Sequence, residues 1–179
     1  MIPSILPSPA ASPIALAPPD IRSLLPHSGL MVLLDRVISV DEESLCAEVT
    51  IRPDSLFMGV DGVGSWVGVE YMAQAIAAFA GYAARLNGDV VKVGFLLGTR
   101  RYETSCSGFA PGSVLRVHVQ RVLQADNGIG SFECHIDDAS PGHGTDGDVN
   151  NGNVQPLARA TVTVFQPDDV AVFLEERSE

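Results

Sequence analysis

Between Trp66 and Ala84 the chain runs through nineteen residues in which Glu70 and Gln74 alone carry strongly polar side chains. A helix apolar on every side has to be wrapped by the rest of its chain. This segment is therefore expected to be one long central helix that dictates what surrounds it. Glu70 and Gln74 lie one turn apart and share a face. A carboxylate in such a helix is costly unless it is partnered, which makes Glu70 a candidate general acid/base. Gln74 is placed to orient it. The same carboxylate, with two glycines and a run rich in Ala rather than Leu or Ile, argues against a membrane span.

The flanking segments alternate apolar and polar residues as strands do. Leu30–Val40 and Leu45–Arg52 precede the helix, joined by an Asp41–Ser44 turn. Val91–Tyr102, Ser113–Leu123, Ile129–Ile136 and Leu157–Phe165 follow it. Asn127-Gly128 is a hairpin turn signal. Residues 53–65 hold three glycines and a proline and read as a loop. Ser65 is the expected helix N-cap and Asn87-Gly88 the stop. Two strands, one helix and four strands give an α+β domain, an antiparallel sheet of about six strands wrapped around one helix. A single sheet leaves the far side of that helix uncovered, so a dimer is expected.

The domain is expected over residues 21–167. Residues 1–20, rich in Pro, Ala and Ser, read as a loose arm and 168–179 as a short tail. Residues 137–154, full of Gly, Asp and Asn, read as a disordered loop.

A net charge of −11 argues against nucleic-acid binding and against attachment to an anionic membrane surface. Cys46, Cys106 and Cys134 lack disulfide or zinc spacing. Cys46 and Cys134 fall at strand positions and read as small core residues. No basic stretch precedes Arg22, as a secretory leader would require. The expected location is the cytoplasm.

Two stretches resemble a known family. Leu25-Pro-His-Ser-Gly-Leu-Met-Val-Leu-Leu-Asp-Arg-Val37 is similar to the opening signature of the hot-dog-fold 3-hydroxyacyl-acyl-carrier-protein dehydratases of fatty-acid synthesis. Gly68-Val-Glu-Tyr-Met-Ala-Gln74 resembles their central helix. Trp66–Ala78, Gly94–Glu103 and Val164–Asp169 are closer still to the ApeP-like branch found in aryl-polyene clusters. The resemblance covers roughly residues 20–170.

The resemblance implies a hot-dog fold, an acyl thioester substrate and an active site between protomers. It also implies carbonyl-polarising N–H groups at the helix N-terminus, here around Ser65 and Trp66. The family's catalytic His stands fourteen residues before the helix acid, where this chain has Leu56. Dehydration needs a base for the proton next to the carbonyl and an acid for the leaving hydroxyl. Glu70 is the expected acid. The base is left to His27, to Asp61, or to a His of a dehydratase partner in a heterodimer. Two other readings fit one acid without the usual His: an acyl-CoA or acyl-carrier-protein thioesterase, and a non-catalytic subunit that binds a carrier protein.

Arg85, Lys92, Arg100 and Arg101 are four of only eleven basic residues. Lys92, Arg100 and Arg101 are candidates for receiving a phosphopantetheine phosphate or an acidic carrier protein. No cofactor is expected beyond the phosphopantetheine of the carrier or CoA. The four histidines are far apart in sequence, and no metal ligand set is expected.

Overall fold

The computed structural model describes residues 19–142, 155–167 and Val170. The expected arm through residue 18, most of the glycine-rich loop and most of the tail lie outside the described residues.

Strands β1 (Arg36–Val40) and β2 (Ser44–Thr50) form the first hairpin. The two-residue strand β3 (Val63–Gly64) leads through a 3-10 turn, Ser65–Val67, into helix α1 (Gly68–Leu86). Then come β4 (Phe95–Thr99), β5 (Glu103–Thr104), β6 (Gly108–Phe109), β7 (Val114–Gln124), β8 (Ile129–Asp138) and β9 (Ala158–Phe165). The main sheet is antiparallel in the order β1-β2-β7-β8-β9-β4, with β5 also paired to β9. β3 and β6 form a separate pair.

Alternation along the central strands sends one set of side chains inward. Leu45, Ala47 and Val49 of β2, Leu115, Val117 and Val119 of β7, and Phe132, Cys134 and Ile136 of β8 are all buried in one core. Tyr71, Met72, Ala75, Ile76 and Phe79 of α1 pack onto it. Fully burying one such large apolar side chain is worth about 1.5–3 kcal/mol. α1 ends where expected: Gly88 is left-handed (φ 76°), its N–H donates to the Arg85 carbonyl, and Asp89 N–H closes onto Ala84.

Four local expectations change. β1 begins at Arg36 rather than Leu30, because Gly29–Met31 is a 3-10 turn and the next backbone groups bond to Gln74 instead of a strand. β4 covers only Phe95–Thr99 of the expected Val91–Tyr102. Its register shifts between Leu96 and Gly98, and Gly98 adopts φ 149°, a bulge on an edge strand. β8 runs on to Asp138, so Asp137 and Asp138 belong to the sheet and not to the loop. Ser65 is no N-cap: it opens the 3-10 turn without a capping side-chain bond, since its backbone is already held by its neighbours.

Candidate active site

Glu70 sits in the first turn of α1. Its side chain is 36% exposed, so the expected buried carboxylate is corrected to one at a cleft wall. The reason is that the sheet and the 21–33 segment leave one face of α1 open. Val69, Glu70, Ala73, Ala77, Ala80 and Ala84 form a half-buried face that no element among the described residues covers fully. That face, with Phe95 and Leu96 of β4 and Val164 of β9, bounds an apolar cleft of about 260 Å³ into which Glu70 and His27 project.

Gln74 is fully buried and sets the geometry. Its amide nitrogen donates to Glu70 Oε1 at 2.9 Å and to the Met31 carbonyl at 2.8 Å. Its oxygen accepts from Leu33 N–H at 2.9 Å. An amide offers two donors and an acceptor, and this one uses all three roles. The orienting role expected of Gln74 thus has a geometry, with the 29–33 segment as its anchor. That segment also carries the preceding His27 to the cleft, where its Nε2 stands 3.9 Å from Glu70 Oε1. The other ring nitrogen, Nδ1, is buried and has no hydrogen-bond partner among the described residues.

Of the alternative bases, Asp61 lies in an exposed turn closed by Gly59 N–H and the Gly62 carbonyl, and it does not line the cleft. The Leu56 position, where the family carries His, is half-buried. Phe57 beside it is left-handed (φ 67°) and packs edge-on against Trp66, with ring centroids 5.7 Å apart. An aromatic pair therefore occupies that corner.

The expected N–H donors fare unequally. Ser65 N–H donates to the Ser107 carbonyl at 3.1 Å and is committed to the fold. The Trp66 side chain is exposed beside Phe57. Tyr102, which the sequence did not mark, donates its hydroxyl to the Ser65 carbonyl. Burial pushes its phenol up to about 12, so it remains a donor at neutral pH. Nothing in the alternating pattern around Tyr102 distinguishes it from an ordinary strand residue.

The basic residues do not form one patch. Lys92 lines the Glu70 cleft. Arg101 pairs with Glu103 at 3.0 Å and borders a different cleft, on the outer side of the sheet. Arg100 is exposed at the end of β4, and Arg85 donates to the Ser23 hydroxyl at 2.6 Å. Nor are the histidines isolated. His118 and His135 stack on the outer sheet face with centroids 4.4 Å apart, because β7 and β8 place them directly opposite each other. Cys46, expected in the core, is buried on that same outer face, 3.9 Å from His118 Nε2.

The ApeP-like family, described as ApeP dehydratase, matches residues 19–175. The chain belongs to the ApeP-like dehydratase family. The fold of this family member is the hot-dog fold, its antiparallel sheet wrapped around one long helix. It is similar to a chain of the dehydratase heterocomplex ApeI:P from Xenorhabdus doucetiae, at 27% identity and a TM-score of 0.76, covering 92% of this chain and 99% of that one. It also resembles AziG of S. sahachiroi (14% identity, TM-score 0.52, 75% and 90% covered). A third likeness is to thioesterase superfamily member 2 of zebra fish (9% identity, TM-score 0.55, 82% and 91% covered). These last two show the fold alone. No curated protein matches the sequence. None of the helices among the described residues is long and apolar enough to cross a membrane.

Proposed function

We propose that this ApeP-like chain removes water from a 3-hydroxyacyl thioester carried on the phosphopantetheine arm of an acyl carrier protein, as one subunit of a two-chain hot-dog dehydratase. The observation that carries this reading is the His27–Glu70 pair at 3.9 Å in an apolar cleft. Neutral His27 takes the C2 proton and the C2–H electron pair becomes the C2=C3 bond. The C3–O bond breaks as the protonated Glu70 carboxyl gives its proton to the departing hydroxyl, releasing water. Imidazolium and carboxylate, 3.9 Å apart, return the proton through one intervening water and restore the starting state. Gln74 keeps the carboxyl aimed throughout. Lys92 at the cleft is the candidate contact for the phosphate of the carrier arm.

Assembly with a second hot-dog chain is supported by the likeness to a dehydratase heterocomplex. It is also supported by edge strand β4, which exposes Leu96 and Leu97 at 42% and 51%.

The experiment is turnover of 3-hydroxyacyl-carrier protein, with 2-enoyl product followed by mass spectrometry, for the chain alone and with its dehydratase partner. Glu70→Gln is expected to lower turnover by about 10²–10⁴-fold, as is His27→Asn. Full turnover of His27→Asn in the complex would assign the base to the partner. Thiol release in place of enoyl product would make the chain a thioesterase. Full turnover of Glu70→Gln would leave it a carrier-binding subunit only.

A further inference from the structure

We propose that His118, His135 and Asp137 form a binding site for a divalent transition metal ion on the outer face of the sheet, apart from the Glu70 cleft. The placement follows from register. His118 of β7 faces His135 of β8 as a Cα pair, and Asp137 lies two residues along β8 on the same face. Residues opposed in this way hold their Cβ atoms about 5 Å apart, and the two imidazoles stack with only 9° between their planes.

Three donor atoms converge there. Asp137 Oδ2 is 3.4 Å from His118 Nε2 and 3.5 Å from His135 Nε2. All three atoms lie within 4.8 Å of one another. An ion such as Zn²⁺ binds imidazole nitrogen and carboxylate oxygen at about 2.0–2.2 Å, which in a tetrahedron separates the donors by roughly 3.4 Å. Both carboxylate-to-imidazole separations already have that value. Because an imidazole lone pair lies in the plane of its ring, coordination also requires the two stacked rings to tilt out of parallel until both planes contain the ion. Two imidazoles and one carboxylate suit zinc, cobalt or nickel rather than magnesium or calcium.

The surroundings are compatible with an ion. Two cations stand beside the site on the same face: Arg116, opposite Asp137, is engaged by Glu48 at 3.0 Å, and Arg159, opposite His135, donates to the Gln155 side chain at 2.8 Å. A cleft of about 530 Å³ reaches His135 and Asp137 from the solvent side and leaves room for water to complete the shell. The ligands stand on central strands and not on loops, so the site is held rigid by the sheet. A bound ion would clamp β7 to β8.

The test uses the full chain, freed of any affinity tag and of metal by chelation, titrated with Zn²⁺ by calorimetry and with Co²⁺ by visible absorption. One ion per chain is expected, with Zn²⁺ raising the melting temperature. The double variant His118→Ala/His135→Ala is expected to bind on the order of 100-fold more weakly or worse, and to lose the Zn²⁺-dependent rise. Its near-ultraviolet circular dichroism in chelator reports whether the fold is intact. If it does not fold, His135→Gln is read in its place, with the same loss expected. Absence of saturable binding in the unaltered chain overturns the proposal. So does binding by the folded variant as tight as that of the parent.

Discussion

The Gln74 amide nitrogen donates to the Glu70 carboxylate at 2.9 Å, one turn back along the same helix. The same side chain holds the Met31 carbonyl and Leu33 N–H, so one buried amide ties the candidate acid to the segment that follows His27. Gln74→Leu keeps the bulk and removes all three bonds. Stranding two backbone groups is expected to cost about 2 kcal/mol or more. Turnover should fall at least about tenfold, because the carboxyl is no longer aimed. Urea denaturation and kcat measure the two effects separately. Unchanged turnover would show that Glu70 does not depend on its neighbour.

α1 approaches the N-terminal segment closely at Gly81, where a Cβ would overlap the Leu24 carbonyl. Ala is the better helix former by about 1 kcal/mol, so propensity alone favours Gly81→Ala. Overlap with backbone, which cannot swing away as a side chain can, is expected to win. The net result should be a loss of about 1–3 kcal/mol in chemical denaturation. A more stable variant would mean that the helix does not rest on Leu24.

Asp41 closes the β1–β2 turn by accepting from the Glu43 and Ser44 N–H groups and the Ser44 hydroxyl. The Glu43 N–H, then the Ser44 hydroxyl, hold its carboxyl below the ordinary 3.8. The folded state therefore binds this proton less readily than the unfolded chain. The contribution is fully present above about pH 4 and is lost as pH falls through the depressed value. Asp41→Asn should lower the melting temperature by a constant amount between pH 6 and 8 and flatten its fall below pH 4, where variant and parent converge. An identical acid slope would remove Asp41 from the account.

Leu97 stands 51% exposed on the edge strand and packs little within its own chain. Leu97→Lys is expected to leave the melting temperature of the isolated chain nearly unchanged. Association with a second hot-dog chain should weaken by at least about tenfold, or 1.4 kcal/mol, as read by sedimentation velocity. Undiminished association would place the partner on another edge.

Much of this arrangement is legible in the sequence. The apolar run around Glu70 announced the helix, and period-two alternation announced β2, β7, β8 and β9 nearly to their ends. Those signals are local and repeat over many residues. What escaped was set by single contacts between distant segments. Gln74 reaches forty-one residues back to Leu33 and displaces the first half of an expected strand. The β3–β6 pair is two residues long and carries no period to detect. The opposition of His118 and His135 depends on hairpin register, which only the turn and its bulge decide. Glu70 is conspicuous in the sequence for a different reason from burial. Its isolation among apolar residues marked a helix face left open by the chain's own sheet, and not a group sealed in the core.

The alternation of β2, β7 and β8 has a consequence for how reliably the sheet assembles. Cys46, His118 and His135 line up in one row on the outer face, and Glu48 beside them is flanked by Arg36 and Arg116. Sliding any one of these strands by a single residue would turn its charged and imidazole side chains into the dry interior against α1. The outer row thus acts as a proofreader of pairing: misaligned sheets are rejected by the cost of burying those groups, before any ligand has been met.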